Sequence, residues 1–303
     1  MKPRILLTGC HGRLGQHLLR VLLENAEIAG IDTADSTFVA HPSFHYFQST
    51  GVGRSHFQSL FKDFRPDAVI NAAAWTDVDG AEVHKSSCNQ VNVNLVQSLV
   101  DLCRVRNVWL GHVSTDYVFG GSAGPYKCDD LPHPLGYYGQ SKLTAENLLR
   151  GAVSPVAIFR TIVLFGKGYG LKPDFLEWVS ESLKQGKTIK VVQDQIGNCC
   201  WARDLANTMY HALQSRKTGL YHVASHGDCS RYDLAFKVAD VLSLDSSLIK
   251  PAKTADLVQK AARPLKGGLV LESSELALGQ KFPDLDDTLE AWKSDYPDLW
   301  SAN

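Results

Sequence analysis

Apolar residues along this chain fall into short unbroken runs, separated by stretches in which they recur every three or four positions. "RILLTG" is followed by "RLGQHLLRVLLEN", and "EIAGID" comes next. The runs are apolar throughout rather than alternating. Strands covered on both faces of a parallel sheet read this way, and the intervening stretches carry a helical stripe. "HFQSLFKDF" places Phe57, Leu60, Phe61 and Phe64 on one helical face, "DAVINAAA" predicts a strand, and a long helix is expected from about Ala81 to Val105. The strand "VWLGHVST", a helix over 138–150 and the strand "VAIFRTIVLFG" complete this half. The order predicts an α/β fold with a doubly wound parallel sheet of Rossmann type and right-handed crossovers.

Beyond residue 166 the alternation loosens. "FLEWVSESLKQG" and "ARDLANTMYHALQ" read as helices, with the strand "KTIKVVQD" between them. "GLYHVAS" is a further strand, "RYDLAFKVADVLSL" a helix opened by Ser230, and "DTLEAWKSDY" a last helix. Repeats, low-complexity tracts and long linkers are missing, so the second lobe is expected to be interwoven with the first. Residues 1–165, joined by parts of 188–245, form the expected dinucleotide-binding domain, and residues 166–303 mainly a smaller α/β substrate-binding lobe.

Composition narrows the function. Of 303 residues, 44% are hydrophobic and 21% charged, an ordinary globular balance. With 31 basic against 32 acidic residues, no overall positive field suggests nucleic acid as a partner. No apolar run approaches the length of a membrane span, and "MKPRILLTGC" lacks the apolar core of a signal peptide, so a cytoplasmic protein is expected. The 7 cysteines are scattered and read as reduced thiols, with Cys199 and Cys200 as packing residues. The histidines show no metal-ligand spacing, and no metal site is expected.

Local motifs carry the chemistry. "TGCHGRLG" places Gly9, Gly12 and Gly15 directly between a strand and a helix. Such glycines permit a tight turn, let a pyrophosphate approach the backbone, and allow close packing of helix on strand; the helix N-terminus offers free N–H groups to phosphate. His11, Arg13 and Leu14 share this loop and are candidate cofactor contacts. Asp32 ends the second strand, where a carboxylate accepts hydrogen bonds from ribose hydroxyls and repels a 2′-phosphate. NAD(H) is therefore favoured, with NADP(H) second and Arg13 the nearest basic residue that softens the preference. Asn71, Ala72 and Ala73 close the next strand, where small side chains leave room for a flat ligand. In "YYGQSK", Tyr138 lies four residues before Lys142 and Tyr137 five before it, and only residues four apart share a helical face. A cation beside a phenol lowers its pKa, and such a phenol can protonate the alkoxide formed when hydride reaches a ketone.

With these segments in order, "TGCHGRLG", "VINAAAWTDVDGAE", "STDYVFGG", "YYGQSKLTAE", "IFRT", "VVQDQIGN", "GLYHVAS" and "ARP", the chain resembles the extended short-chain dehydrogenase/reductases, and within them the dTDP-4-dehydrorhamnose reductase branch. The resemblance implies an NAD(P)-dependent reductase of a nucleotide-linked 4-keto-6-deoxy sugar, with Thr115, Tyr138 and Lys142 as its catalytic set. Asn92 matches a helical asparagine that supports the lysine. Thr76, Tyr117, Val163, Asp194, Gln195 and Arg263 fall at positions implied to meet the substrate, although Val163 stands where the branch has a tryptophan flanking the sugar. Sibling dehydratases carry Asp-Glu after the threonine; here Asp116 is followed by Tyr117. A homodimer is also implied, since many relatives dimerise through surface helices. The methionine adenosyltransferase β subunit resembles the same branch, so a non-catalytic regulatory subunit is the alternative, beside a nucleotide-sugar epimerase.

Overall fold

The structure, a computed structural model, describes residues 2–49 and 51–295. Its first half follows the predicted runs, with one further strand, β3, directly after β2 and no helix between them: β1 (Arg4–Thr8), α1 (Arg13–Leu22), β2 (Glu27–Asp32), β3 (Phe44–Gln48), α2 (Arg54–Phe64) and β4 (Ala68–Asn71). Then come α3 (Val78–Val83), α4 (Lys85–Asn89), α5 (Leu95–Arg106), β5 (Trp109–Thr115), α6 (Tyr137–Arg150) and β6 (Val156–Thr161). The second half contains β7 (Leu164–Phe165), α7 (Phe175–Lys184), β8 (Ile189–Val192), β9 (Ile196–Gly197), β10 (Cys200–Trp201), α8 (Ala202–Gln214) and β11 (Gly219–His222). It ends with β12 (Cys229–Ser230), α9 (Arg231–Val241), β13 (Ile249–Ala252), α10 (Glu272–Leu278) and α11 (Leu285–Asp295).

Seven strands form one sheet in the order β11-β6-β5-β4-β1-β2-β3, and every pairing within it is parallel. Helices cover both faces, which is why these strands are apolar on both sides. One core layer joins Leu14, Leu18 and Leu22 of α1 to Leu205 and Met209 of α8, and the opposite layer joins Phe57 and Phe61 of α2 to Leu99 and Cys103 of α5. Residues 202–222 thus return to the Rossmann sheet after the chain has entered the second lobe. That lobe has its own core, with Trp201, Leu234, Val238 and Trp292 buried together. All seven cysteines are free, and Cys199 and Cys200 are buried in packing roles.

Two expected elements are divided. The long helix from Ala81 breaks at His84, whose φ of −110° and ψ of 51° are not helical, and widens to a π-helical turn over Gln90–Asn94. Asn92 lies in that turn, which matches the tendency of such turns to gather at functional sites. The strand "VAIFRTIVLFG" stops at Thr161, and Val163 takes a φ of +37° before β7 pairs with β10. A β-branched residue is strained there. The bend sends the chain out of the sheet and across the mouth of a cleft.

Candidate active site

The glycine loop is pressed between two neighbours. Gly9 has a φ of +70°, and a Cβ on it would lie 2.6 Å from the backbone nitrogen of Ala73. A Cβ on Gly15 would lie 2.0 Å from the carbonyl oxygen of Gly9, so the first turn of α1 can sit this close only without a side chain. Gly12 caps α1 with no side-chain bond, and its helical N–H groups lie where Gly12, Arg13 and Leu14 line a cleft of about 520 Å³. These features fit a dinucleotide: a close-approach loop, a helix N-terminus beside a cavity, and a carboxylate at the end of β2. That carboxylate, Asp32, accepts the His11 and Thr33 backbone N–H groups at 2.8 Å each. The His11 ring stacks on Tyr46 at 4.8 Å and bonds Thr37 at 3.0 Å. Burial holds this imidazole below its usual pKa, against the pull of Asp32. Cys10, His11 and Asp32 bring a thiol, an imidazole and a carboxylate within 4.8 Å of one another. Burial pushes the Cys10 thiol far up, which opposes the thiolate a metal requires.

Five segments complete the cleft: Ala72–Ala74 and Thr76 after β4, Val113–Tyr117 at the end of β5, Tyr138 and Lys142 on α6, Thr161–Leu164 at the bend, and Leu171 with Lys172 before α7. Tyr138 meets the Tyr117 ring edge-on at 5.6 Å. Tyr137 faces away, its hydroxyl accepting a hydrogen bond from Asn89 Nδ2 at 2.7 Å and its ring lying 5.0 Å from the Lys85 ammonium. Helical spacing thus separates the two tyrosines in space. Burial pushes the Tyr138 phenol up, Thr115 opposes by hydrogen bonding, and the carboxylate of Asp116 adds to the rise. The lowering expected from Lys142 is not found, because its ammonium turns elsewhere. Nζ donates to the Val113 carbonyl at 2.6 Å and lies 3.3 Å from His112 Nε2. Burial brings Lys142 down to about 8, with Glu146 and Cys88 pulling the other way.

Beside these residues Asp116 is buried and pushed up to about 6, with the Thr115 bond and the Arg231 charge opposing. A smaller adjoining hollow is lined by Asp116, Tyr117, Val163, Gln195 and Arg231. A hollow of about 730 Å³ between β3 and α2 is lined by none of the candidate residues and by no part of the glycine loop. The site is therefore placed by chemistry at the carboxyl ends of the strands, where ligands of such sheets bind.

Over residues 1–296 the chain matches the family described as the RmlD substrate binding domain. It belongs to that family. A probable low-salt glycan biosynthesis reductase of Haloferax volcanii is 33% identical over 301 residues, covering 97% of this chain and 99% of its own length. A dTDP-4-dehydrorhamnose reductase of Aggregatibacter actinomycetemcomitans is 32% identical over 290 residues, covering 91% and 93%. The dTDP-4-dehydrorhamnose reductase of Bacillus anthracis, solved in complex with NADP, superposes with a TM-score of 0.87 at 26% identity, covering 97% of this chain and 100% of that one.

Within this RmlD-family chain, the polar groups of several residues singled out from the sequence are bonded to protein partners. Asn71 is buried in the sheet between Thr8 and His112, bonded to both at 2.6 and 3.0 Å, so its amide does not reach a cofactor. Asn92 braces the Trp75 backbone and the Ser141 hydroxyl rather than Lys142. Arg13 lines the cleft with its stem, but its guanidinium donates to Asp174 at 2.9 Å, to Glu177 at 3.0 Å and to the Gly166 and Lys172 carbonyls. It ties the glycine loop to the N-terminus of α7. Asp194 accepts from Thr254, and Gln195 donates to the same hydroxyl at 3.0 Å while lining the adjoining hollow. Arg263 pairs with Asp79 at 2.9 Å. His112 and Arg231 were not singled out, although both border the reacting groups. No spacing marks either of them; His112 becomes visible only when β5 is set beside β4.

No helix among the described residues is long and apolar enough to cross a membrane.

Proposed function

We propose that this chain is a nicotinamide-dependent reductase of a nucleotide-linked 4-keto-6-deoxy sugar, in which Tyr138 gives a proton to the oxygen at C4. The reading rests on one juxtaposition: Tyr138, Lys142 and Thr115 converge on a cleft whose other wall is the glycine loop. The named activities of the relatives support it. When bound, the dinucleotide supplies the hydride. Gly12 and the first N–H groups of α1 hold its phosphates, and Asp32 its adenosine ribose. Thr115 orients the ketone through its hydroxyl. Tyr138, kept protonated by burial, donates as negative charge develops on that oxygen. Lys142 holds the nicotinamide ribose with the N–H that Val113 and His112 leave free. Tyr117, at the seam with the adjoining hollow, faces the sugar, and Val163 opens the wall opposite.

NAD(H) is the favoured cofactor. The Asp32 carboxylate repels a 2′-phosphate, and Arg13, the nearest guanidinium in the sequence, is committed to Asp174 and Glu177. Residues 1–165 with 202–222 hold the cofactor in this reading, and the remaining lobe holds the nucleotide-sugar.

Turnover of a panel of dTDP-, UDP-, GDP- and CDP-linked 4-keto-6-deoxy sugars, with NADH and NADPH in parallel, tests the proposal. Oxidation of NADH in preference to NADPH is expected with at least one sugar, and an Asp32→Ser variant is expected to narrow the preference. Absence of turnover with every combination would sink the reductase reading and leave the regulatory-subunit alternative.

A further inference from the structure

A polar ladder crosses the middle of the apolar sheet. Thr8 on β1, Asn71 on β4 and His112 on β5 are direct neighbours in register. Thr8 Oγ1 lies 2.6 Å from Asn71 Oδ1, Asn71 Nδ2 lies 3.0 Å from His112 Nδ1, and His112 Nε2 lies 3.3 Å from Lys142 Nζ. All four residues are at most 2% exposed. Polar groups buried this deeply cost stability unless each is paired, so the row needs a purpose beyond filling space.

We propose that His112 is a positioning residue for the reduction: its Nε2 accepts one N–H of the Lys142 ammonium, the Val113 carbonyl accepts a second, and the third is left for the cleft. The proposal rests on the role given to Lys142 above. An ammonium has only donors. Facing one, Nε2 must present its lone pair, so the ring proton sits on Nδ1; the Asn71 amide, placed with Nδ2 toward the ring and Oδ1 toward Thr8, is then turned over, an exchange of O and N that leaves the heavy-atom positions almost unchanged. The reverse amide orientation puts the ring proton on Nε2 and pairs only with a neutral amine. The ladder therefore has two self-consistent states, one for each charge on Lys142. Burial, and then the Lys142 charge, hold the His112 ring well below its usual pKa, so it stays neutral in both.

The other titratable and charged groups around the pair are few. Glu146 is one turn further along α6, neutralised by Arg160 at 2.7 Å. Cys88 approaches from α4, and Tyr138 is one turn back on α6. None of these supplies the acceptor that Nε2 supplies. His112→Leu therefore leaves a buried ammonium N–H without a partner, and Lys142 loses its proton at lower pH. The cation that holds the nicotinamide ribose then disappears earlier on the alkaline side.

The test compares wild type, His112→Leu, His112→Gln and Lys142→Met in NAD(P)H-dependent reduction of a sugar from the panel, as profiles of kcat/KM against pH. The alkaline limb of His112→Leu is expected to move down by about one pH unit, the worth of one hydrogen bond to a charged group. His112→Gln places an amide oxygen near the position of Nε2 and is expected to restore the limb. A His112→Leu profile that overlays wild type, with only thermal stability reduced, would overturn the proposal, as would a His112→Gln variant no better than His112→Leu. Wild-type turnover by Lys142→Met would instead remove the role of Lys142 and leave the hydrogen bond standing.

A second readout needs neither turnover nor a folded leucine variant. In ¹⁵N NMR of the wild-type protein, the imidazole signals missing from His112→Gln belong to His112. They are expected to show a neutral ring protonated on Nδ1 at pH 7, with Nε2 moving as Lys142 titrates near pH 8. That movement is expected to vanish in Lys142→Met. A doubly protonated ring at pH 7, or an Nε2 signal indifferent to pH across this range, overturns the proposal.

Discussion

Glu146→Gln separates the charge of a buried carboxylate from its shape, one turn beyond the lysine of the candidate site. Glu146 is wholly buried and accepts from Ser114 Oγ at 2.6 Å, Arg160 Nη2 at 2.7 Å, Arg160 Nε at 2.8 Å and Arg150 Nη2 at 3.0 Å. Arg160 is also fully buried, and its remaining polar neighbours are distant: the Cys128 carbonyl at 3.4 Å and His222 Nε2 at 3.5 Å. Its guanidinium also lies 4.9 Å from the Phe119 ring centre, a modest attraction. Removing the carboxylate charge strands a buried cation, and breaking such a pair from one side costs about 3–5 kcal/mol. Glutamine keeps one acceptor oxygen, so the lower end, about 3 kcal/mol, is expected. The paired substitution Glu146→Leu with Arg160→Met removes both charges. Its residual cost is the Ser114 hydroxyl left without an acceptor, about 1–3 kcal/mol. Urea unfolding followed by the fluorescence of buried Trp109 and Trp201 measures both variants, together with Glu146→Leu and Arg160→Met alone to close the cycle. A single variant within about 1 kcal/mol of wild type, or a double variant less stable than the single ones, would refute the claim that the pair acts as a unit.

Three further outcomes follow from the geometry. Tyr138→Phe should lower kcat/KM by about 10²–10⁴-fold with its unfolding midpoint nearly unchanged, whereas Tyr137→Phe should retain turnover and lose about 0.5–1.5 kcal/mol with the Asn89 bond; the opposite pattern would exchange their roles. Burial raises the Glu275 carboxyl, but Lys281, His226 and the Phe282 N–H together draw it down to about 2 from 4.5. A carboxyl depressed on folding stabilises the protein above its unfolded pKa and loses that contribution as pH falls toward the folded value. Unfolding free energy should thus decline between pH 4.5 and 2 in wild type, and less steeply in Glu275→Gln. Gly15→Ala should weaken dinucleotide binding and stability together, because its Cβ would collide with the Gly9 carbonyl; an unperturbed cofactor Kd would argue against a tightly built loop.

What was legible in the sequence was set by periodicity and by backbone demands. Unbroken apolar runs announced strands buried on both faces, and β1, β2, β4, β5 and β6 lie where those runs begin. The three glycines marked the loop because close backbone contacts at Gly9 and Gly15 tolerate no side chain. A four-residue interval placed Tyr138 and Lys142 on one side of α6 and sent Tyr137 to Asn89, since a helix turns about 100° per residue.

The tertiary structure alone decided the rest. Asn71 and His112 are far apart in the chain and carry no shared pattern; they meet because β4 and β5 pair in register. Arg13 reads as a cofactor contact beside the glycines, yet a loop more than a hundred residues later brings Asp174 and Glu177 to claim its guanidinium. The Ala81 helix breaks at His84 and widens around Asn92, and the strand after Thr161 bends at Val163, neither of which the apolar pattern marks. The sequence thus determined which elements form and which faces they bury, because these depend on neighbours within a turn or a strand. Which polar groups meet, and which charges are already spoken for, depends on register and on chain returning from a distance, and that information exists only in the fold.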